Sequence, residues 1–315
     1  MNCKTDATSV RSEYQAFLDK ANVFIDVQKT YGLFQTPFQA RMGLDSITTF
    51  YLPKLEVAQV VNTALVLHDR EIPVRIYDPD PEQVKPVIIF MHGGGHMCGS
   101  VDLYDAVTRR LAARTGQLVL SIDYRLAPEF PYPCGLNDCQ VVVEHLDILL
   151  EGHHVNLEKI TLAGDSAGGA LACNVAWHTT GVKFHRLLMI YPSLDYTFST
   201  PSYKTLATGY LLETEKIRWY FNQYFDRYTE DADRKKASPL FFSELKHLPK
   251  TLTIAAQLDP LVDEGKQFHQ RLLDAGVDSK HVEHEGVIHC FLNLESLNPK
   301  LIDDTYERIS AFVNS

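Results

Sequence analysis

One rhythm runs along the chain: short, almost unbroken apolar runs alternate with longer stretches whose apolar residues recur three and four apart. The short runs are VRIYD (74–78), PVIIFMH (86–92), LVLSIDY (118–124), KITLAG (159–164), LLMIYP (187–192) and TLTIAAQ (251–257). A strand with one wet face alternates apolar and polar residues. A run apolar throughout suits a strand buried on both faces, as in a parallel sheet covered by helices. The longer stretches carry helical faces: Leu136, Cys139, Val143, Leu146 and Leu150 after Pro133, then the segment from Ala167 to about Thr179. Further on come Phe268, Leu272 and Leu273, and near the end Ile302, Tyr306, Ile309 and Phe312. Strand and helix in alternation predict a doubly wound α/β sheet.

Two segments break the rhythm. The first 45 residues precede any predicted strand and carry a helical face of Tyr14, Phe17, Leu18 and Ala21. Residues 194–248 are too many for a plain connection in a compact domain. They contain Ile217, Tyr220, Phe221, Tyr224, Phe225 and Tyr228, which fall on one face of a helix. Such a face can line a pocket, but packing against the body is the commoner use and the expectation here. Both segments need a surface to cover, and a shared cap over one end of the sheet satisfies both.

Charge and composition remove several classes of function. With 30 basic against 40 acidic side chains, a net charge of −10 and no basic run, the chain lacks the face a nucleic acid would need. Apolar runs such as VIIFM (87–91) are strand-sized and far short of a membrane span. The polar start MNCKTDATSVRSEYQ has no apolar signal-peptide core. The expectation is a cytoplasmic enzyme with no integral membrane segment. Six cysteines (Cys3, Cys98, Cys134, Cys139, Cys173 and Cys290) show no CxxC spacing and therefore no zinc framework. Cys134 and Cys139, five apart, are the pair to consider for a disulfide, with free thiols the expected state.

The sharpest local signal is LAGDSAGGALA (162–172), which holds G-x-S-x-G as Gly164-Asp165-Ser166-Ala167-Gly168. A serine on a strand-to-helix turn takes a strained conformation, and small residues two positions to either side let the chain pass. The turn exposes the hydroxyl and aims the Ala167 N–H at any negative charge forming beside it. Upstream, HGGGHMCGS (92–100) follows a buried strand, and successive glycines let backbone N–H groups converge on one point. The loop lacks both phosphate-binding glycine patterns, but matches the H-G-G-G oxyanion loop. His92 and His96 are four apart, a zinc spacing only on a helix, which a glycine run is not. His92 is read instead as ordering the loop by hydrogen bonding.

A serine nucleophile needs a base, and the base needs an acid to set its tautomer. Downstream of Ser166, TLTIAAQ runs into LDPLVDEG, which puts Asp259 where a strand gives way to a loop. HEGVIHCF then offers His289 after another short apolar stretch. Asp263 competes with Asp259 but falls on the following loop or first helical turn. His269, His281 and His284 compete with His289, the first in a helical stretch and the others in or before the last strand. A zincin reading fails because H-E-x-x-H would need histidine where Ile288 stands. No metal and no cofactor are expected.

Taken together, HGGG, GDSAGG, DPLVDEG and HCF resemble the hormone-sensitive-lipase-like group of α/β-hydrolase carboxylesterases. SIDYRLAPEFPYP (121–133) and the run SPLFFSELKHLPK into the acid agree, so the resemblance spans roughly residues 74 to 295. It implies an α/β-hydrolase fold, a mostly parallel doubly wound sheet with a helical cap built from the N-terminus and an insertion after the sixth strand. One domain follows, with its core at about 46–195 and 246–315 and its cap at about 1–45 and 196–245. The implied triad is Ser166, Asp259 and His289. The implied oxyanion donors are the N–H groups of Gly93, Gly94 and Ala167, with the glycine pair open by one position. Two departures stand out: His96 where the family usually has a large aromatic residue, and Cys290 where it often has glycine. Both are expected at the substrate pocket.

The implied activity is hydrolysis of short- to medium-chain carboxylic esters through an acyl-enzyme, with a small-molecule ester as partner. A homodimer is compatible with this reading. The alternative from another class is a non-catalytic small-ligand receptor on the same fold, but those lose the triad histidine and His289 is present. Lipase, lactonase, amidase and peptidase are rivals among enzymes. The chain shows no long apolar lid or membrane-surface helix, which disfavours an interfacial lipase.

Overall fold

The computed structural model describes residues 9–32, 36–226 and 229–315. One sheet holds eight strands: β1 Gln59–Val66, β2 Glu71–Asp78, β3 Lys85–Met91, β4 Leu118–Ile122, β5 Val155–Asp165, β6 Phe184–Ile190, β7 Lys250–Leu258 and β8 Ser279–Ile288. Their order is β1-β2-β4-β3-β5-β6-β7-β8. The pairs from β4 through β8 are parallel, while β1 and β2 run antiparallel to their neighbours. Each of the six apolar runs marks a strand, with the runs at 86–92, 118–124 and 187–192 overshooting the strand end by one or two residues, and His281 and His284 lie in β8 as expected.

The unbroken apolar runs have a direct cause. Along β3, Val87, Ile89 and Met91 enter one core, and Ile88 and Phe90 enter the other. The first core is closed by Leu136 and Val142 of the helix Cys134–Glu144 and by Leu171 of the helix Ala167–His178. The second is closed by Leu111 of the helix Asp105–Thr115 and by Tyr306 and Ile309 of the helix Pro299–Val313. Each fully buried aliphatic side chain contributes about 1.5–3 kcal/mol, so both faces favour apolar residues. Strand β1 escaped prediction because it lies at the sheet edge, where only Leu65 of its residues is buried. A half-wet edge carries no continuous apolar run.

The helix predicted after Pro133 divides into Cys134–Glu144 and Leu146–Leu149. The break falls at His145, whose ring Nδ1 is 2.8 Å from the Val141 carbonyl while its backbone N–H turns to Val142. A side chain thus takes the carbonyl that the ladder would use.

The two segments outside the rhythm are helical and meet each other. Ser12–Thr30 and Pro37–Asp45 come from the first, the latter opened by a Thr36/Gln39 capping box. Thr214–Tyr224 and Asp231–Ala237 come from the second. Asn22 Nδ2 donates to Gly209 O at 3.1 Å, and Lys29 Nζ pairs with Glu213 at 2.7 Å. Among the described residues no helix is long and apolar enough to cross a membrane. Cys134 and Cys139 are free thiols, as are Cys98, Cys173 and Cys290; Cys3 lies outside the described residues.

Candidate active site

Strand β5 ends at Asp165 and the next helix begins at Ala167, leaving Ser166 alone on the turn at φ 52° and ψ −120°. That conformation is costly for a non-glycine residue and survives only where its surroundings impose it. Here the Ser166 N–H donates to Ile190 O at 2.8 Å, pinning the turn to the end of β6. The flanking glycines answer a different demand, close backbone approach. A Cβ on Gly164 would come within 2.7 Å of Met91 O, and one on Gly168 within 2.6 Å of His92 O. Because both obstacles are backbone, Gly168→Ala is expected to destabilise the protein by about 1–3 kcal/mol. The measurement is the denaturant midpoint, and an unchanged midpoint would refute the close-packing account.

Asp259 follows β7 directly and His289 follows β8 directly, so two adjacent strands deliver both residues beside the Ser166 turn. Ser166 Oγ lies 3.0 Å from His289 Nε2, and His289 Nδ1 lies 2.6 Å from Asp259 Oδ2. The other Asp259 oxygen accepts the Leu261 N–H at 2.9 Å. A hydroxyl, an imidazole and a buried carboxylate in line can move a proton off the hydroxyl. Burial opposes charge on His289, but the Asp259 carboxylate outweighs it and holds the imidazole well above its ordinary value of 6.5. The competitors sit elsewhere. Asp263 accepts the Ser202 N–H, His269 meets Ser279, His284 meets Thr305, and His281 packs beside His269.

The glycine loop holds a correction. Gly93, expected among the oxyanion donors, gives its N–H to Asp165 Oδ1 at 2.7 Å and has none to spare. The cavity wall contains Gly94 and Gly95 instead, at φ 117° and 63°. Among the described residues, the N–H groups of Gly94, Gly95 and Ala167 donate to no protein acceptor. His92 stacks on Tyr124 with centroids 4.4 Å apart and places Nδ1 2.8 Å from Gly93 O, ordering the loop as expected.

Sequence reasoning passed over Asp165. It is fully buried, and its second oxygen takes the hydroxyls of Tyr104 at 3.0 Å and Tyr191 at 3.3 Å. Burial pushes its pKa up to about 6, while the Tyr104 hydroxyl and the Gly93 N–H favour the anion. The available signal was an ionisable residue inside G-x-S-x-G, at the end of a strand buried on both faces.

Ser166, Ala167, His289 and Cys290 open into a cavity of about 580 Å³. Phe17, Phe24 and Phe50 line one side and Leu212, Ile217 and Phe221 another, so both extra segments contribute wall. The aromatic face therefore divides. Ile217, Tyr220 and Phe221 line the cavity, whereas Tyr224 and Phe225 pack with Tyr196 and Tyr203; Tyr228 lies outside the described residues. Cys290 lines the cavity as expected, but His96 does not. Its buried ring stacks on Tyr224 at 3.8 Å and its Nε2 lies 3.0 Å from the Tyr196 hydroxyl. Burial, with His92 nearby, lowers its pKa to about 3. His96 thus serves as a neutral flat ring behind the loop, which explains a histidine where an aromatic residue is usual.

An eight-stranded, mostly parallel sheet with a serine on a strand-to-helix turn and its base and acid on later strand ends defines an α/β-hydrolase. A family model described as the alpha/beta hydrolase fold matches residues 88–293. The chain is 33% identical to an ethyl acetate hydrolase of Pseudomonas putida, over 72% of this chain and 73% of that one. It is 30% identical to an arylesterase of Saccharolobus solfataricus, over 81% and 84%. Among solved structures, an ester hydrolase from the Lake Arreo metagenome superposes with a TM-score of 0.86 at 29% identity, covering 97% of this chain and all of that one. A hyperthermophilic esterase of Pyrobaculum calidifontis gives 0.83 at 28% identity, covering 97% and 98%. The chain belongs to the hormone-sensitive-lipase-like family of α/β-hydrolases and is a carboxylic ester hydrolase.

Proposed function

We propose that this enzyme hydrolyses short- to medium-chain carboxylic esters through an acyl-enzyme on Ser166. His289 Nε2 takes the hydroxyl proton as Oγ bonds to the ester carbonyl carbon, and Asp259 stabilises the imidazolium. The carbonyl oxygen becomes an oxyanion held by the N–H groups of Gly94, Gly95 and Ala167. His289 then passes its proton to the alcohol oxygen as the C–O bond breaks. Water, deprotonated by His289, attacks the acyl-enzyme and releases the acid. The two helical segments act as a cap that excludes bulk water from this exchange.

The observation that carries this reading is the unbroken Ser166–His289–Asp259 hydrogen-bond chain, 3.0 and 2.6 Å, opening into a mainly apolar cavity. A rate series over acyl lengths from acetyl to decanoyl tests it. The expected optimum lies at the short to middle lengths, and a decanoyl optimum would point to a lipase. Covalent labelling by a fluorophosphonate separates an enzyme from a ligand receptor, which has no activated serine to react.

The raised pKa of His289 sets a pH dependence. Only neutral imidazole can accept the serine proton, so kcat/KM rises with pH as His289 deprotonates. The acid limb is therefore expected above the ordinary imidazole value of 6.5. A pH profile with a neutral ester measures it, and an acid limb below that value would refute the charge balance drawn here.

A further inference from the structure

The cavity wall is mainly apolar, yet it includes an ammonium group. Lys216 lies in the first turn of the helix Thr214–Tyr224 and lines the same cavity as Ser166 and His289. The acidic residues beside it in sequence are engaged elsewhere: Glu213 pairs with Lys29 at 2.7 Å, and Glu215 faces Arg218 at 3.5 Å. Among the described residues no carboxylate forms an ion pair with Lys216. Its Nζ lies over the Tyr220 ring, 6.0 Å from the centroid. Cys98 beside it carries no compensating charge, because burial pushes that thiol up to about 11.

Position ties this cation to the chemistry. Tyr220, one turn along the helix, packs so tightly on the oxyanion loop that a Cβ on Gly95 would lie 2.7 Å from its ring. Cys290, which follows His289 in the chain, lines the same cavity wall as Lys216. The ammonium therefore shares one cavity with the glycine loop and the base. Desolvation of a cation without a counter-ion is unfavourable, and burial lowers the Lys216 pKa accordingly. An arriving anion would reverse that penalty.

Resting on the hydrolase reading above, we propose that the ester taken by this enzyme carries a carboxylate, which Lys216 binds. One ammonium matches one negative charge. A phosphate dianion would remain half compensated, and the protein's net charge of −10 disfavours polyanions further. The carboxylate can sit on the acyl or on the alcohol half of the ester, and the test separates the two.

Two matched pairs of esters are followed by proton release: monoethyl adipate against ethyl hexanoate, and 4-acetoxybenzoate against 4-methylphenyl acetate. The readout is the ratio of kcat/KM for the charged member to that for the neutral member. In the wild type this ratio is expected to exceed about 10 in one pair, which identifies the half carrying the charge. Lys216→Met is expected to lower the ratio by about 10–100-fold, the span of one hydrogen bond to a charged group. Lys216→Arg, which keeps the charge, is expected to hold it within about threefold. A wild type that prefers the neutral member in both pairs overturns the proposal, and so does a Lys216→Met ratio equal to the wild-type one. Fluorophosphonate labelling of the same wild-type sample separates the two levels of failure. Labelling with no charge preference overturns the carboxylate alone, whereas no labelling and no hydrolysis overturn the Ser166 reading and this proposal with it.

Discussion

Ser166→Ala is expected to lower kcat for a short-chain ester by about 10⁵–10⁶-fold while leaving the protein folded. The loss is large because the covalent route needs that one oxygen, and the oxygens of neighbouring Asp165 are held by Gly93, Tyr104 and Tyr191. Ser166 occupies the turn between β5 and the following helix at φ 52°, held by its own N–H bond to Ile190 O. Alanine makes the same backbone bond and adds no volume, so the strained turn persists and the thermal midpoint should change little. The residual rate comes from the oxyanion donors and from substrate positioning, which survive the change. Steady-state kinetics with near-ultraviolet circular dichroism on the same sample checks both halves. Activity within tenfold of wild type would remove Ser166 as the nucleophile.

Asp259→Asn is expected to lower kcat by about 10⁴-fold. The Asp259 Oδ1 accepts the Leu261 N–H at 2.9 Å, and the asparagine carbonyl can keep that bond. The amide NH2 then faces His289 Nδ1, which turns from donor to acceptor. The imidazole proton moves to Nε2, the atom 3.0 Å from Ser166 Oγ, and the ring can no longer take the serine proton. Loss of the carboxylate also removes what held the His289 pKa up against burial, so the acid limb of kcat/KM should move to lower pH. A variant with near-normal kcat, or with an unmoved acid limb, would show that Asp259 does not orient the base.

Much of this site was legible in the sequence because its parts are local. Gly164, Ser166 and Gly168 stand within five residues of one strand-to-helix junction, and the steric demands of that junction recur wherever it is built. Asp259 and His289 were marked by standing where apolar strands end, a property of contiguous residues. The choices against Asp263, His269, His281 and His284 rest on the same strand-end logic; Asp263, His269 and His284 bond elsewhere, and His281 packs against His269.

The misplaced details share a different cause. Gly93 and Asp165 are 72 residues apart, and nothing near either one announces that the carboxylate takes the glycine N–H. His96 reads as a pocket residue until Tyr196 and Tyr224 close around it from the inserted segment. Nothing in the sequence around Lys216 marks it, and it becomes cavity wall only where the N-terminal helices line the same space. Strand β1 has too little burial to leave a pattern.

The periodic rhythm, the turn motif and the strand-end acid and base determined the sheet, the class of chemistry and the three residues in line, because each follows from neighbours along the chain. Tertiary structure alone decided which N–H groups stay free, which aromatic residues face the cavity, and that an ammonium shares it. Those properties depend on what lies across the gap, and residues far apart in sequence supply it.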